Sequence, residues 1–477
     1  MSDQTRIEEK VRTRIAPSPT GYPHLGLIYQ AIFDYVLARK YNGQFILRIE
    51  DTDQARFVKG AEDVIYDALS WVDLLPDEGP KEDGDFGPYR QSQRLELYKK
   101  YADELITKGY AYRCFCTKDR LDQMRKDQEK QHKAPMYDKT CLSLSKNEVE
   151  KNLNAGILSV IRMKIPDNET ITVRDEIVGD VSFESSQIDE QILLKSDGFP
   201  TYHLAVVVDD HFMQITHVFR GTEWLPSSPK HVLLYKYFGW EHTMPKFIHI
   251  PVLLNSQGGG KLSKRHAHAS VDYYKQEGFL PQAVVNYLAN IVWNHPEDKE
   301  IFPITDFGEA MQLDPFKIDI KSTGVKFDLQ KLIWINGLYI RDVLSDEALI
   351  DALYAYDSTL RDIDSQLFAK LVGIAKTRIK TLKEFKQLVD PFLSPIKQEI
   401  LSGQKEILAS LSADLEHINW NKETIAEIVV QKYILGKMIT LKQLYTILIG
   451  TDKGLPLVDT FEILGKEKTL VLFQTNE

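Results

Sequence analysis

The stretch RIAPSPTGYPHLGLIYQAIF, residues 14–33, restricts the fold more strongly than any other part of the sequence. Its prolines and glycine mark a loop. Apolar residues then recur at spacings of three and four, the period of an α-helix. His24 therefore lies where a loop becomes a helix. The free N–H groups and partial positive charge of a helix start favour a bound phosphate, although a histidine that only hydrogen-bonds the helix end fits this stretch equally well.

The first half of the chain alternates strand-like and helix-like runs. A helix is predicted over residues 60–75, directly after a strand that ends in acidic residues. The predicted strands cover residues 45–49, 157–165, 171–184, 205–208 and 215–220. Such alternation favours a parallel sheet with helices on its faces, and hence an α/β fold.

The pattern changes at about residue 341. Leu, Ile, Lys and Glu dominate from there on, and their spacing is helical, as in DSQLFAKLVGIAKTRIKTLKEFKQLV. Only six glycines occur between residues 345 and 477, so long loops are not expected. The C-terminal quarter is therefore predicted to be an all-helical module, distinct from the α/β part.

A second informative stretch is LLNSQGGGKLSKRHAHAS, residues 253–270. Its three consecutive glycines form a hinge, and Lys261, Ser263 and Lys264 follow directly. A flexible cationic loop of this kind can close over a polyphosphate and stabilise charge that develops there. Taken alone, the segment is also typical of an exposed basic turn.

Charge and composition exclude several classes of protein. The net charge of -10 argues against a protein that coats nucleic acid, although a local basic patch can still neutralise phosphates. The charged N-terminus has no apolar signal segment and no run of 18 apolar residues occurs, so we expect a cytoplasmic protein that makes no membrane contact. Three cysteines in 477 residues do not make a disulfide framework.

Together, the two loops resemble the paired HIGH and KMSKS signatures of class I aminoacyl-tRNA synthetases, here HLGL at 24–27 and KLSKR at 261–265. Leu27 and Arg265 depart from the last residue of each signature, at positions that vary in the glutamyl branch. The stretches RIAPSPTG, RIEDTDQAR and FRGTEWLPSSPKH are similar to those of bacterial-type glutamyl-tRNA synthetases. The resemblance covers nearly the whole chain, from Thr13 to FEILGKEKTL near the end.

The resemblance implies a Rossmann-like catalytic domain with a parallel sheet, interrupted by an inserted domain and followed by helical modules. The implied domains are a catalytic domain at 10–90 and 202–270, an inserted acceptor-stem-binding domain at 91–201, a stem-contact domain at 271–340 and helical anticodon-binding domains at 341–477. It also implies a monomer whose partners are tRNA(Glu), L-glutamate and ATP.

The implied reaction joins glutamate to tRNA(Glu) through a glutamyl-adenylate, and it needs no covalent enzyme intermediate. Catalysis then depends on positioning and charge stabilisation. The implied catalytic residues are His24, Lys261 and Lys264. The implied ATP-binding residues are His24, Gly26, Trp224, Lys261, Ser263 and Lys264. The implied glutamate-binding residues are Arg14, Ala16, Ser18, Glu50, Tyr202 and Arg220.

These residue types suit the substrate. An amino acid with two carboxylates and one ammonium needs cationic forks and one anion, and arginine binds carboxylates in a bidentate manner. Arg14 and Arg220 match the family's carboxylate contacts, and Glu50 matches its ammonium contact. Mg²⁺ is expected with ATP, held largely by phosphates and water.

Two further sites follow from the resemblance. Cys114, Cys116 and Cys141 lie within 28 residues and resemble the zinc-binding knuckle of some family members, with Tyr137 as the fourth ligand; three free thiols left from a lost site are the alternative. Arg378, in a lysine-rich segment predicted to be helical, matches an arginine that contacts the third anticodon base in relatives that discriminate against tRNA(Gln). A solvated helix face is the alternative for that segment.

Other functions remain open from the sequence. The glutaminyl relative has a C-terminal part that resembles β-barrels, and the short relative that glutamylates a nucleoside of tRNA(Asp) lacks a helical C-terminal module. Small-molecule nucleotidyltransferases share the H-x-G pattern and a lysine-containing loop but are usually shorter. A catalytically inactive tRNA-binding paralogue would not need intact His24, Glu50, Arg220 and Lys264.

Overall fold

The computed structural model describes residues 10–256, 260, 262, 267–313, 316–318, 320, 324–394 and 402–474. These residues form two compact units. The first comprises the residues up to Val271 together with Leu288–Phe327, and the second comprises Asp272–Tyr287 and the residues from Asp328 onward. None of the helices in the described ranges is long and apolar enough to cross a membrane.

The strands are short and belong to the first unit. They are β1 (Arg12–Ile15), β2 (Gln44–Leu47), β3 (Ala111–Cys114), β4 (Val160–Met163), β5 (Thr170–Asp175), β6 (Gly179–Glu184), β7 (Ile192–Leu194), β8 (His217–Gly221), β9 (Lys246–Ile250), β10 (Leu253–Asn255), β11 (Gln312–Leu313), β12 (Phe316–Lys317) and β13 (Val325–Phe327).

The helices follow the strands in the first unit and make up the second. The helices that begin before residue 300 are α1 (Leu25–Lys40), α2 (Ala61–Trp71), α3 (Leu95–Thr107), α4 (Lys118–Lys130), α5 (Lys146–Asn154), α6 (Tyr202–Phe212), α7 (Ser228–Phe238), α8 (Val271–Gln276) and α9 (Pro281–Asn290). Later helices are α10 (Ile304–Ala310), α11 (Leu329–Leu338), α12 (Asp346–Tyr356), α13 (Ser365–Ala375), α14 (Leu382–Leu393), α15 (Ser402–Glu416), α16 (Lys422–Ala426), α17 (Leu441–Ile449), α18 (Leu457–Leu464) and α19 (Lys466–Gln474).

Parallel strands form the centre of the first unit. β1 pairs in parallel with β2, and β8 pairs in parallel with β9. The N–H of Thr216 donates to the carbonyl of Arg12 at 2.9 Å, which places β1 beside the start of β8. β5 joins the other side of β9 at the pair Asp175–Phe247 and continues into an antiparallel hairpin with β6. The predicted α/β class is confirmed, since helices connect the parallel strands.

The predicted strand at 205–208 is wrong, because these residues lie within helix α6. The run AVVV is β-branched and apolar, which favours a strand when judged locally. However, every residue from His203 to Asp210 is buried, so α6 is a helix buried on all sides and shows no amphipathic period. Periodicity alone cannot separate a buried strand from a buried helix over so short a run.

The second unit is helical, as predicted for the C-terminal quarter. Side-chain caps define several helix starts: Asp328 accepts hydrogen bonds from Gln330 and Lys331 at the start of α11, and Thr440 forms a capping box with Gln443 at the start of α17. Apolar faces such as those of Phe368 and Phe385 pack together, with ring centroids 5.4 Å apart. Packing of these faces, rather than intrinsic propensity, stabilises such short helices.

Candidate active site

A cavity of about 860 Å³ lies where the carboxyl ends of β1, β8 and β9 meet. Open α/β sheets bind ligands at this edge, because the loops that follow the strands converge there. Its wall brings together residues that are far apart in sequence. The cavity is lined by Arg14, Ala16, Ser18, His24, Gly26, Glu50, Tyr202, Arg220 and Trp224.

His24 is the N-cap residue of α1, as its position between loop and helix predicted. Its Nδ1 accepts a hydrogen bond from the N–H of Gly26 at 3.0 Å, and its backbone bridges to Ser270. Gly26 and Leu27, in the first turn of α1, also line the cavity. The positive end of a 16-residue helix therefore faces the cavity, and this end attracts a phosphate.

Arg220 is buried in the cavity wall and donates to four neutral groups. Its Nε donates to Nε2 of His249 at 2.9 Å, and its Nη2 donates to Oγ of Ser228 at 2.6 Å. Its Nη1 contacts Oη of Tyr202 at 3.2 Å and Nδ1 of His231 at 3.1 Å. Among the residues that the structure describes, no carboxylate forms an ion pair with Arg220, although its exposure is 4%.

The other buried arginine of the cavity, Arg14, belongs to a buried network of ion pairs. Nε of Arg14 lies 3.2 Å from Oδ1 of Asp210, which also accepts from Nη1 of Arg48 at 2.6 Å. Nη2 of Arg48 reaches Glu50 at 3.1 Å. Burial opposes the ionised form of Asp210, but the two guanidinium groups hold its pKa below the usual range.

The same network continues behind the cavity. Oδ1 of Asp209 accepts from Nε of Arg94 at 2.7 Å, and Arg48 lies 3.8 Å from the same carboxylate. Asp209, Asp210 and Glu50 therefore each form an ion pair with at least one of Arg14, Arg48 and Arg94. Arg220 has no direct carboxylate partner among the described residues, so an anionic ligand would supply one.

Glu50 lies beside this cation-rich wall. Burial raises its pKa, an effect that Arg48 and Arg14 oppose. A ligand ammonium beside Glu50 would favour the charged carboxylate further. Arg220 and Glu50 thus place one cation and one carboxylate on the cavity wall, and an amino acid carries the complementary charges.

Family models cover most of the chain. The model described as "tRNA synthetases class I (E and Q), catalytic domain" matches residues 10–334, and the model "Anticodon binding domain" matches residues 347–471. The chain belongs to the glutamyl-tRNA synthetase family. This confirms the family inferred from the sequence motifs.

Relatives named glutamate--tRNA ligase match nearly end to end. The chain is 40% identical to the protein of Fusobacterium nucleatum, over 97% of this chain and 96% of the relative. It is 43% identical to the protein of Rhizobium etli, over 96% and 95%. A solved structure of a glutamate tRNA ligase from Elizabethkingia meningosepticum, in complex with its amino acid, has a TM-score of 0.83 and 33% identity, covering 98% of this chain and 99% of that chain.

The second signature of this glutamyl-tRNA synthetase family member falls largely outside the described residues. Lys261, Ser263 and Lys264, all predicted to bind ATP, are among those not described. Leu262, which lies between them in sequence, lines the cavity, and its N–H donates to the carbonyl of Leu253 at 2.8 Å. The roles predicted for the two lysines and the serine therefore stay predictions.

Trp224 and Tyr202 form an aromatic part of the cavity wall. Their ring centroids lie 4.8 Å apart, and the Trp224 side chain is 40% exposed. The exposed part of the indole offers a flat apolar surface on which an adenine ring can stack. The predicted contact of Trp224 near adenosine stays a prediction.

The three cysteines come together as predicted for a metal site. Their Sγ atoms all lie within 4.8 Å of one another, and those of Cys116 and Cys141 are 3.6 Å apart. Oη of Tyr137 lies 3.4 Å from Sγ of Cys114 and 3.3 Å from Sγ of Cys116. Tetrahedral zinc with bonds of about 2.3 Å to sulfur requires its ligand atoms to lie about 3.8 Å apart, so three thiolates and one oxygen fit the group.

Arg378 lies in an exposed turn between α13 and α14, and the prediction that its segment is helical is wrong at this residue. α13 ends at Ala375, and the N–H of Arg378 donates to the carbonyl of Ala375 at 2.7 Å. Lysines of the predicted basic patch are partly neutralised: Lys376 pairs with Asp346, Lys383 with Glu277 and Lys386 with Asp357. α14 begins at Leu382, and just before it the N–H of Lys380 donates to the carboxylate of Glu384 at 2.6 Å.

Sequence reasoning missed the residues that support the site. The main ones are Arg48, Asp209, Asp210, Ser228, His231 and His249. One signal was available: two acidic residues follow the apolar run of α6, and buried acids are rare unless they are paired. Nothing in the local sequence indicates which arginines pair with them, because those partners lie more than 100 residues away.

Proposed function

We propose that the chain attaches L-glutamate to tRNA(Glu) in two ATP-dependent steps. In the first, an oxygen of the glutamate α-carboxylate attacks the α-phosphorus of ATP, the bond to the β-phosphate oxygen breaks and pyrophosphate leaves. In the second, a ribose hydroxyl of the terminal adenosine attacks the glutamyl carbonyl, loses its proton and displaces AMP. Relatives that match this chain from end to end bear the name of this activity.

The environment of Arg220 carries the proposal. A buried guanidinium whose described partners are all neutral is costly unless an anion neutralises it on binding. The side-chain carboxylate of glutamate supplies that anion, whereas the amide of glutamine leaves the charge unbalanced. Because glutamine cannot neutralise this buried charge, the site can reject glutamine without an editing step. Arg14, Ala16, Ser18, Glu50 and Tyr202 complete the proposed amino-acid site.

ATP is assigned to the other end of the cavity. His24 and the first-turn amides of α1 would hold its phosphates, and Trp224 would contact its adenosine. Lys261, Ser263 and Lys264 would stabilise charge on the α-phosphate and pyrophosphate as it develops. Mg²⁺ would accompany ATP, held largely by the phosphates and water.

The tRNA contacts are proposed from the family resemblance. Residues 91–201 would bind the acceptor stem, residues 271–340 the stem, and residues 341–477 the anticodon, in agreement with the anticodon-domain match at 347–471. One structural zinc is assigned to Cys114, Cys116, Cys141 and Tyr137. We propose that the protein acts as a cytoplasmic monomer.

Pyrophosphate exchange tests the function. With tRNA(Glu) present, we expect exchange that depends on glutamate and is not supported by glutamine. His24→Ala and Lys264→Ala should each lower its rate about 10²–10³-fold, because each removes a group that stabilises developing charge. His132→Ala, an exposed histidine outside the cavity, is the matched control and should keep the wild-type rate.

Near-normal exchange in both variants, with unchanged melting temperatures, would end the catalytic assignment of His24 and Lys264. Exchange supported equally by glutamine would end the assignment of glutamate as the specific substrate.

A further inference from the structure

His249 is a buried histidine of β9 whose two ring nitrogens have different partners. Nε2 lies 2.9 Å from Nε of Arg220, and Nδ1 lies 2.6 Å from Oδ2 of Asp175. Because Nε of an arginine can only donate, Nε2 of His249 must be the acceptor. The ring proton therefore resides on Nδ1 and is donated to Asp175.

Asp175 is itself held rigidly. It ends β5, and both of its carboxylate oxygens are occupied: Oδ1 accepts from the N–H groups of Ile177 and Val178 at 3.0 and 2.8 Å, and Oδ2 accepts from the N–H of His249 at 3.0 Å. Although burial opposes ionisation, these hydrogen bonds hold the pKa of Asp175 below its usual range. A fixed anion therefore sets both the tautomer and the orientation of His249.

The other histidine that contacts Arg220 is held less firmly. Nδ1 of His231 faces Nη1 of Arg220 at 3.1 Å, and its second nitrogen faces His203, also at 3.1 Å. Burial lowers the pKa of His203 to about 3, so that partner is a neutral ring rather than an anion. Hydrogen bonding to a carboxylate makes an imidazole the stronger acceptor, which distinguishes His249 from His231.

We propose that Asp175 and His249 are positioning residues that fix the guanidinium plane of Arg220 for the side-chain carboxylate of the amino acid. The proposal rests on the proposed function, in which Arg220 binds that carboxylate. The hydrogen bond to Nε restricts rotation of the guanidinium group. One N–H of Nη2 is left for the substrate, since the other three Nη hydrogens are donated to Tyr202, His231 and Ser228. A guanidinium fixed before binding loses less freedom when the substrate arrives.

The proposal predicts a selective loss of glutamate binding. His249→Leu removes the acceptor and leaves the buried Nε–H of Arg220 without a partner, so the glutamate KM should rise about tenfold or more. The ATP KM should stay within about twofold, because neither residue reaches the phosphate end of the cavity. His249→Gln keeps one acceptor and one donor on a side chain of similar reach, and it should restore most of the glutamate affinity.

The experiment measures both KM values by pyrophosphate exchange with tRNA present, in wild type, His249→Leu, His249→Gln and His249→Asn. The Asn side chain is polar but too short to join both partners, so it should behave like Leu even if Leu folds poorly. Arg220→Ala gives the full effect of losing the guanidinium. His217→Gln, a buried histidine on the neighbouring strand β8, is the matched control and should keep the wild-type glutamate KM.

An unchanged glutamate KM in folded His249→Asn, or an equal rise of both KM values, would overturn the positioning role. Equal defects in the Gln and Leu variants would also overturn it, because side-chain size rather than hydrogen bonding would then decide the effect. These results differ from a failure of the proposed function, which would appear as a wild-type enzyme without glutamate-dependent exchange or as an Arg220→Ala variant with a normal glutamate KM.

Discussion

A buried arginine needs acceptors for its five N–H groups and a counter-charge. The two buried arginines of the cavity, Arg14 and Arg220, meet these needs with different partners. Arg14 shares the carboxylate of Asp210 with Arg48, so its charge is already balanced. Arg220 has neutral acceptors, so its charge remains available to a ligand. At the residue scale, the kind of partner therefore distinguishes Arg220, whose direct partners are neutral, from Arg14, which already shares a carboxylate.

Arg378 offers a second test at this scale. It lies exposed in a turn, where a guanidinium can stack on an unstacked base and form forked hydrogen bonds with it. We expect wild type to charge tRNA(Glu) about 5- to 150-fold better than tRNA(Gln), the range of one good base contact of about 1–3 kcal/mol. Arg378→Gln should narrow this ratio, measured by aminoacylation of both tRNAs.

Lys370→Gln is the control for that measurement. It removes an exposed charge of α13 and should weaken the binding of tRNA(Glu) and tRNA(Gln) to the same extent. A wild-type enzyme that charges both tRNAs equally, or an Arg378→Gln variant that discriminates as well as wild type, would remove Arg378 from anticodon reading.

Short elements hold the cysteine cluster together. Cys114 ends β3, Cys116 follows it, and Cys141 lies in a single helical turn beyond α4. Tyr137 is buried with them, and the guanidinium of Arg162 lies 4.0 Å from the centre of its ring. A metal ion bound by these cysteines would link the two ends of the segment 114–141. It would stabilise the fold of that segment, because so short a segment has little hydrophobic core of its own.

We expect close to one equivalent of zinc per chain in protein prepared without chelator, measured by elemental analysis. Cys116→Ser should lose most of the metal and Tyr137→Phe should bind it more weakly, because each removes one of four ligands. Ser143→Ala removes an exposed hydroxyl two residues after Cys141, and this variant should bind zinc as the wild type does. Less than about a tenth of an equivalent in wild type would refute the site.

The stability of the molecule should depend on pH through its buried histidines. Burial lowers the pKa of His203 and of His217 to about 3. The unfolded chain binds these protons below about pH 6.5, whereas the folded chain does not, so stability is full above that pH and is lost as the pH falls toward 3. Each histidine contributes about 1.4 kcal/mol per pH unit in that window.

The melting temperature should therefore fall between pH 7 and pH 5, as measured by thermal denaturation. His217→Gln replaces one of these groups by a side chain that does not titrate, so its melting temperature should fall less over the same interval, by about 2–4 °C. A variant with the same pH slope as wild type would show that His217 does not titrate as its burial implies.

Local patterns predicted the α/β class and the helical C-terminal part, and the family resemblance carried by short motifs predicted nine of the residues that line the cavity. Each motif behind the resemblance is a short run of residues, such as the stretch around His24, the run 258–265 and the stretch around Glu50. A short run of this kind determines both a local backbone conformation and a few functional groups. It can therefore be interpreted without knowledge of distant residues.

Only the tertiary structure decided which buried side chains contact one another. α6 is a helix despite its β-branched run because burial on all sides outweighs local propensity. Asp175 and His249 are 74 residues apart, and Arg48 and Asp210 are 162 residues apart, yet each pair forms a buried hydrogen bond. Buried charges choose partners by proximity in the folded chain, and the sequence alone does not encode that proximity in any local pattern.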